Sequence, residues 1–156
     1  MIIRNAKVSD AKAIHSIISD FAEFDRMLFR SMASIYENIQ TFIVAEDDNK
    51  QVVGCAAMAV LWSDLAEVKS LAVKREMSGQ GIGKKLVNEA VNKAKRLGVT
   101  RIFALTLEPI FFEKAGFIRV DRKTLPMKVW SDCANCPKQD QCDEVAFILD
   151  LQEMEK

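Results

Sequence analysis

Between Leu71 and Val91 the chain reads LAVKREMSGQGIGKKLVNEAV, an apolar run, then glycines at 79, 81 and 83, then an amphipathic helical pattern. A glycine turn between a strand pattern and a helix start ties the chain to a strand-loop-helix unit, and so to a mixed α/β fold. Glycines let a backbone approach an anion, successive N–H groups then point at it, and the helix N-terminus adds about half a positive charge. Two nucleotide signatures fail on spacing. A dinucleotide fingerprint needs G-x-G-x-x-G, whereas this loop is G-x-G-x-G. A P-loop needs Gly at 78 and Ser or Thr at 85, where the chain has Ser78 and Lys85. A tight turn without a ligand is the plain alternative. Lys84 and Lys85 in the first helical turn weigh against it, because cations there oppose the helix dipole unless an anion is near.

The flanking segments extend the alternation. Ile2 to Asn5 reads as a short strand, and Ser9 or Asp10 offers an N-cap to a helix carrying Ile14, Ile17, Ile18 and Phe21 on one face. A second short helix is expected over Met32 to Ile39. Thr41 to Glu46 reads as a strand, the polar cluster Asp47 to Lys50 as a hairpin turn, and QVVGCAAMAVLW and EVKSLAV as the next two strands. The helix after the glycines carries Ile82, Leu86, Ala90, Ala94 and Leu97 on one face and stops at Gly98. TRIFALTL is a strand, PIFFEKAGF a short helix ending at Gly116, and DEVAFILDL a last strand. At 156 residues the chain is the size of one domain, and 22 basic against 22 acidic residues leave no global footprint for nucleic acid. No run of about 18 apolar residues and no leader pattern occurs, so a cytoplasmic protein without membrane contact is expected.

AEVKSLAVKREMSGQGIGKKLV resembles the acetyl-coenzyme-A binding motif of the GNAT acetyltransferase superfamily, a strand leading to Arg/Gln-x-x-Gly-x-Gly/Ala at a helix start. LEPIFFEKAGF is similar to the family's next motif, F-Y-E-K-x-G-F. The resemblance covers nearly the whole chain. It implies a single domain over residues 1–156, with a Cys-containing insertion at about 122–143 before the last strand. It also implies a mixed, mostly antiparallel sheet flanked by helices on both faces. MLFRSMASIYENIQTFIVAE, VVGCAAMAVLWSDLAEVKSLAV and the tail LPMKVWSDCANCPKQDQCDEVAFILDL further resemble short stand-alone amino-acid N-acetyltransferases of the N-acetylglutamate synthase type. L-Glutamate as acceptor and a place in arginine biosynthesis are then implied. The kinase-like domain through which longer synthases are inhibited by arginine has no counterpart expected here.

The resemblance also assigns roles. Glu67 falls where the superfamily's strand carries a glutamate base, which an attacking amine needs in order to lose its proton. The oxyanion donor is a backbone N–H four residues on, at Leu71. Leu71, Ala72 and Val73 would hold pantetheine through their backbone. Ser78, Gly79, Gln80, Gly81, Ile82, Gly83 and Lys84 would hold the pyrophosphate, Ser78 standing where the family has Arg or Gln. The family's tyrosine acid is replaced by Phe112, itself expected beside the cofactor. Tyr36, the one tyrosine, lies far from that motif. A thiol with a pKa near ~8.5 leaves without full protonation. Arg30, beside an aromatic stretch, and Lys69, on the face of Glu67 by strand alternation, are candidates to clamp a substrate carboxylate.

Cys133, Cys136 and Cys142 form C-x2-C-x5-C, one close pair and a third thiol, which leaves a structural zinc and reduced thiols both open. A homodimer is left open as well. Besides amino-acid acetylation, two readings remain: transfer to another amine such as a polyamine, a drug or a protein N-terminus, and a non-enzymatic acyl-CoA-binding or metal-sensing module.

Overall fold

A computed structural model describes residues 1–23, 30–106, 108–121 and 145–152. Its sheet runs in the order β1-β2-β3-β4-β5-β7-β6. The strands are β1 (Ile2–Asn5), β2 (Phe42–Glu46), β3 (Val52–Trp62), β4 (Leu65–Val73), β5 (Arg101–Thr106), β6 (Ile118–Val120) and β7 (Val145–Asp150). Every neighbouring pair is antiparallel except β4 and β5. That exception is forced by the connection, since a helix between two strands returns the chain to run the same way. The mixed, mostly antiparallel sheet expected from the sequence is therefore the observed one.

Helices cover both faces. On one, α3 (Ile82–Arg96) buries Ile82, Leu86, Val87, Ala90, Val91 and Ala94. They pack with Ala66 and Val68 of β4, Ile102 and Ala104 of β5, and Phe112 of α4 (Pro109–Lys114). Gly54 of β3 lets the helix settle, for a Cβ there would lie 3.1 Å from Leu86 Cδ1 and 3.3 Å from Ile82 Cγ2. Truncating Leu86, which is fully buried, removes about 2–5 kcal/mol. On the other face, α1 (Ala11–Glu23) and α2 (Met32–Glu37) seat Ile14, Ile17, Ile18 and Ile35 on Val44, Cys55, Ala57 and Ala72. Among the described residues no helix is long and apolar enough to cross a membrane.

Two local expectations are corrected, and one strand was not foreseen. Asp10 does not cap α1. It closes a 3-10 turn (Val8–Asp10), accepts the Lys7 backbone N–H at 2.7 Å, and takes both Arg4 terminal nitrogens at 2.7 and 3.0 Å. Arg4 also reaches Glu46 at 2.6 Å, so one guanidinium ties β1, β2 and the start of α1. Leu97, expected on the buried face of α3, is 60% exposed. The helix ends at Arg96, Leu97 is its C-cap, and Gly98 at φ 85° turns the chain away. The short edge strand β6 was hidden in the sequence because it has three residues and two face solvent.

Candidate active site

The site begins where two strands part. β4 and β5 pair at Leu65↔Arg101, Ala66↔Ile102 and Glu67↔Phe103, and their ladder goes no further. β5 continues against β7 as far as Thr106↔Val145. From Val68 onward, among the described residues, β4 pairs with β3 and no longer with β5, which opens a gap between β4 and β5. Glu67 stands at the apex, 8% exposed. A carboxylate that deep is uncommon outside functional or paired settings.

Just beyond, β4 carries a bulge. Lys69 faces Ala57 and Ala72 faces Cys55, so Ser70 and Leu71 together oppose Ala56. Ser70 adopts φ 55°, the left-handed region that a non-glycine residue enters at a penalty. The bulge reverses the strand's facing. Ala66 and Val68 belong to the core beneath α3, which by alternation turns Glu67 and Lys69 to the α1/α2 side. After the bulge Ala72 is on the α1/α2 side, and Leu71 and Val73 pack toward α3. Glu67 and Lys69 thus share a face as the sequence implied, whereas strict alternation would have wrongly carried Leu71 with them. Arg30, half-buried, immediately precedes Ser31, the N-cap of α2 on that same face of the sheet.

After Val73 the chain leaves the sheet through a 3-10 turn (Arg75–Met77), and the Ser78 hydroxyl donates to the Arg75 carbonyl at 2.8 Å. The Ser78 side chain therefore stabilises the turn. The three glycines of the loop do different jobs. Gly79 and Gly81 sit at φ 82° and 79° with nothing within 4 Å of a built Cβ, so their requirement is conformational. Gly83, already helical, packs closely, since a Cβ there would meet the Phe111 ring at 3.3 Å. Gly81 caps α3 without a side-chain acceptor, and Lys85 N–H to Gly81 O at 3.2 Å is the first helical bond. The amides of Ile82, Gly83 and Lys84 precede it, as those of a first helical turn do, and form a donor cluster. Gln80, Lys84 and Lys85 are exposed around them.

Phe112 is 5% exposed, packed edge-on to Phe111 and Phe117 and stacked on Phe147. It is an anchor of the core, and Phe111 is the ring that borders the glycine loop. Ala72 is 1% exposed, which leaves its backbone as what it can offer a ligand. Cys133, Cys136, Cys142 and the 122–143 insertion lie outside the described residues, and no cluster of metal-ligating side chains occurs among the described ones. Sequence reasoning passed over Ser70 and Phe103. Nothing in EVKSLAV marks the bulge, and the pairing of Phe103 with Glu67 is a tertiary fact.

The gap, the buried carboxylate and the donor cluster can be set beside known proteins. Residues 38–119 match the family model described as acetyltransferase (GNAT) domain. An uncharacterized N-acetyltransferase of Chlorobaculum tepidum is 42% identical over 149 residues, 96% of each chain. An amino-acid acetyltransferase of Mycobacterium tuberculosis is 36% identical over 152 residues, 96% of this chain and 84% of the relative. Among solved structures, N-acetylglutamate synthase of Neisseria gonorrhoeae, complexed with coenzyme A and N-acetyl-glutamate, superposes with a TM-score of 0.87 at 26% identity. That match covers 96% of this chain and 35% of the synthase.

Proposed function

This chain belongs to the GNAT acetyltransferase family, and on that premise we propose that it moves the acetyl group of acetyl-CoA to the α-amine of an amino acid, with L-glutamate preferred. One observation carries the reading: the β4–β5 ladder stops at Glu67↔Phe103, opening a slot whose apex holds a buried carboxylate. The thioester lies in the slot. Pantetheine runs along the backbone of Leu71, Ala72 and Val73, and the pyrophosphate rests on the amides from Ser78 to Lys84, where the helix dipole and close backbone approach favour an anion.

Glu67 takes a proton from the substrate ammonium, directly or through one water, and the neutral amine attacks the thioester carbonyl. The carbonyl oxygen becomes an oxyanion and is met by the Leu71 N–H. The attacking nitrogen gives its second proton to solvent, and collapse breaks the carbon–sulfur bond and releases the coenzyme A thiolate, which takes its proton from solvent. Phe112 has no proton to give. Arg30 and Lys69 pair the acceptor's carboxylates, a fork and a point charge respectively. The acceptor named here is supported by the amino-acid acetyltransferase relative and by the N-acetyl-glutamate in the Neisseria synthase complex. Acylation of glutamate at its α-amine would be a step of arginine biosynthesis.

A panel of L-amino acids, polyamines and short peptides, assayed with acetyl-CoA by release of free thiol, tests this. L-Glutamate is expected to give the highest specificity constant, and analogues lacking the α-carboxylate to fail. A polyamine or peptide that outperforms every amino acid overturns the acceptor. Binding of acetyl-CoA with no acceptor turned over would overturn the enzymatic reading.

A further inference from the structure

Cys55 lies on β3 directly across from Ala72 and is fully buried beneath α1, away from the gap. Its Sγ–H donates to the Ser70 carbonyl at 3.5 Å. The thiol therefore holds the peptide that Ser70 shares with Leu71. Burial pushes that thiol up to about 12, so it remains a protonated donor throughout the range in which an acetyltransferase works. Ser70 is at φ 55°, and the ladder gives Ser70 and Leu71 no register partner on β3 or β5 among the described residues. A strained bulge needs something to fix it, and the Cys55 thiol reaches its Ser70 carbonyl from the neighbouring strand.

We propose that Cys55 is a positioning residue for the transfer: by holding the Ser70 carbonyl on the α1 side of the sheet it sets the direction of the Leu71 N–H. This rests on the reading that the Leu71 amide receives the oxyanion. Donor strength at an oxyanion falls steeply with small errors of position, and about 1 Å is enough to lose on the order of 10²-fold in rate. Cys55 itself touches neither substrate nor cofactor.

Three variants separate the donor from the volume. Cys55→Ser keeps a hydroxyl that can donate to Ser70. Cys55→Val fills the space without a donor, and Cys55→Ala removes both. Each is assayed for kcat and KM with the wild type's best acceptor, for acetyl-CoA affinity by calorimetry, and for thermal midpoint. Cys55→Val is expected to keep the midpoint and the acetyl-CoA affinity within about twofold while kcat falls roughly tenfold or more. Cys55→Ser should recover most of that loss, and Cys55→Ala should lose both kcat and stability. Wild-type kcat in Cys55→Val, or a serine variant as slow as the valine one, overturns the positioning role and leaves the acetyltransferase reading standing. A wild type that transfers acetyl to no acceptor overturns that reading, and this inference falls with it.

Discussion

Glu67 of β4 stands directly across from Phe103 of β5, and theirs is the last pair before the two strands separate. Phe103 is fully buried, so the apex of the gap has a rigid apolar wall beside its carboxylate. A base placed there is shielded from bulk water on one side and open along the gap between β4 and β5 on the other. Where the two strands part, backbone donors of β4 can turn to a ligand in place of β5. Fold and chemistry meet in this one register.

The glycine loop gives the sharpest test of cofactor binding. Gly81→Ala forces a Cβ onto φ 79° and should lower stability by about 1 kcal/mol, with weaker acetyl-CoA affinity. Gly81→Asn, which tolerates that conformation better, should bind more tightly than Gly81→Ala. Gly81→Asp has the shape of Asn but adds a negative charge beside the pyrophosphate, and calorimetry should show roughly tenfold or more weaker binding than Asn. Equal affinity for Asn and Asp would move the pyrophosphate elsewhere.

The Arg4–Asp10–Glu46 tie sets the acid limit of stability. The hydrogen bond from Arg4 holds the Asp10 carboxyl below its ordinary range. The unfolded chain therefore binds more protons near pH 4, and the stabilisation is present above the ordinary carboxylate pKa and lost as pH falls through the lowered one. Asp10→Asn should lower the unfolding free energy at pH 7 by about 1–3 kcal/mol in urea titrations, and the gap to wild type should narrow as pH falls below the ordinary carboxylate range. A gap that persists at low pH would mean the pair is stabilised by packing alone.

For the acceptor pocket, Arg30→Ala and Lys69→Ala should each raise the glutamate KM by more than they lower kcat. Loss of kcat alone, with KM unmoved, would assign them to the chemical step instead.

Much of this was legible in the chain. The alternation of strands and helices, the glycine loop at the mouth of α3 and the carboxylate in an apolar run are local patterns, read from neighbours in sequence. What escaped was set by partners far along the chain. The bulge at Ser70 and Leu71 exists because β3 and β4 pair out of step, and EVKSLAV alternates too weakly to announce it. Gly83 was read for its backbone alone, and its fit against Phe111, a residue 28 positions later, could not be seen in the sequence. Phe112, read as a vacated acid position at the cofactor, lies in a cluster of rings. In each case a side chain's environment depended on which distant element packed against it.

The pH dependence of Glu67→Gln tests the central claim most directly. Glutamine keeps the shape of the side chain at the strand parting and cannot accept the proton. At neutral pH kcat should fall on the order of 10²-fold or more, with acetyl-CoA affinity nearly unchanged. The deficit should shrink as pH rises toward the pKa of the acceptor's amine, since an amine already deprotonated in solution needs no base. A variant that runs at the wild-type rate across the whole pH range would contradict Glu67 as the base, and with it the active site built around the Glu67–Phe103 pair.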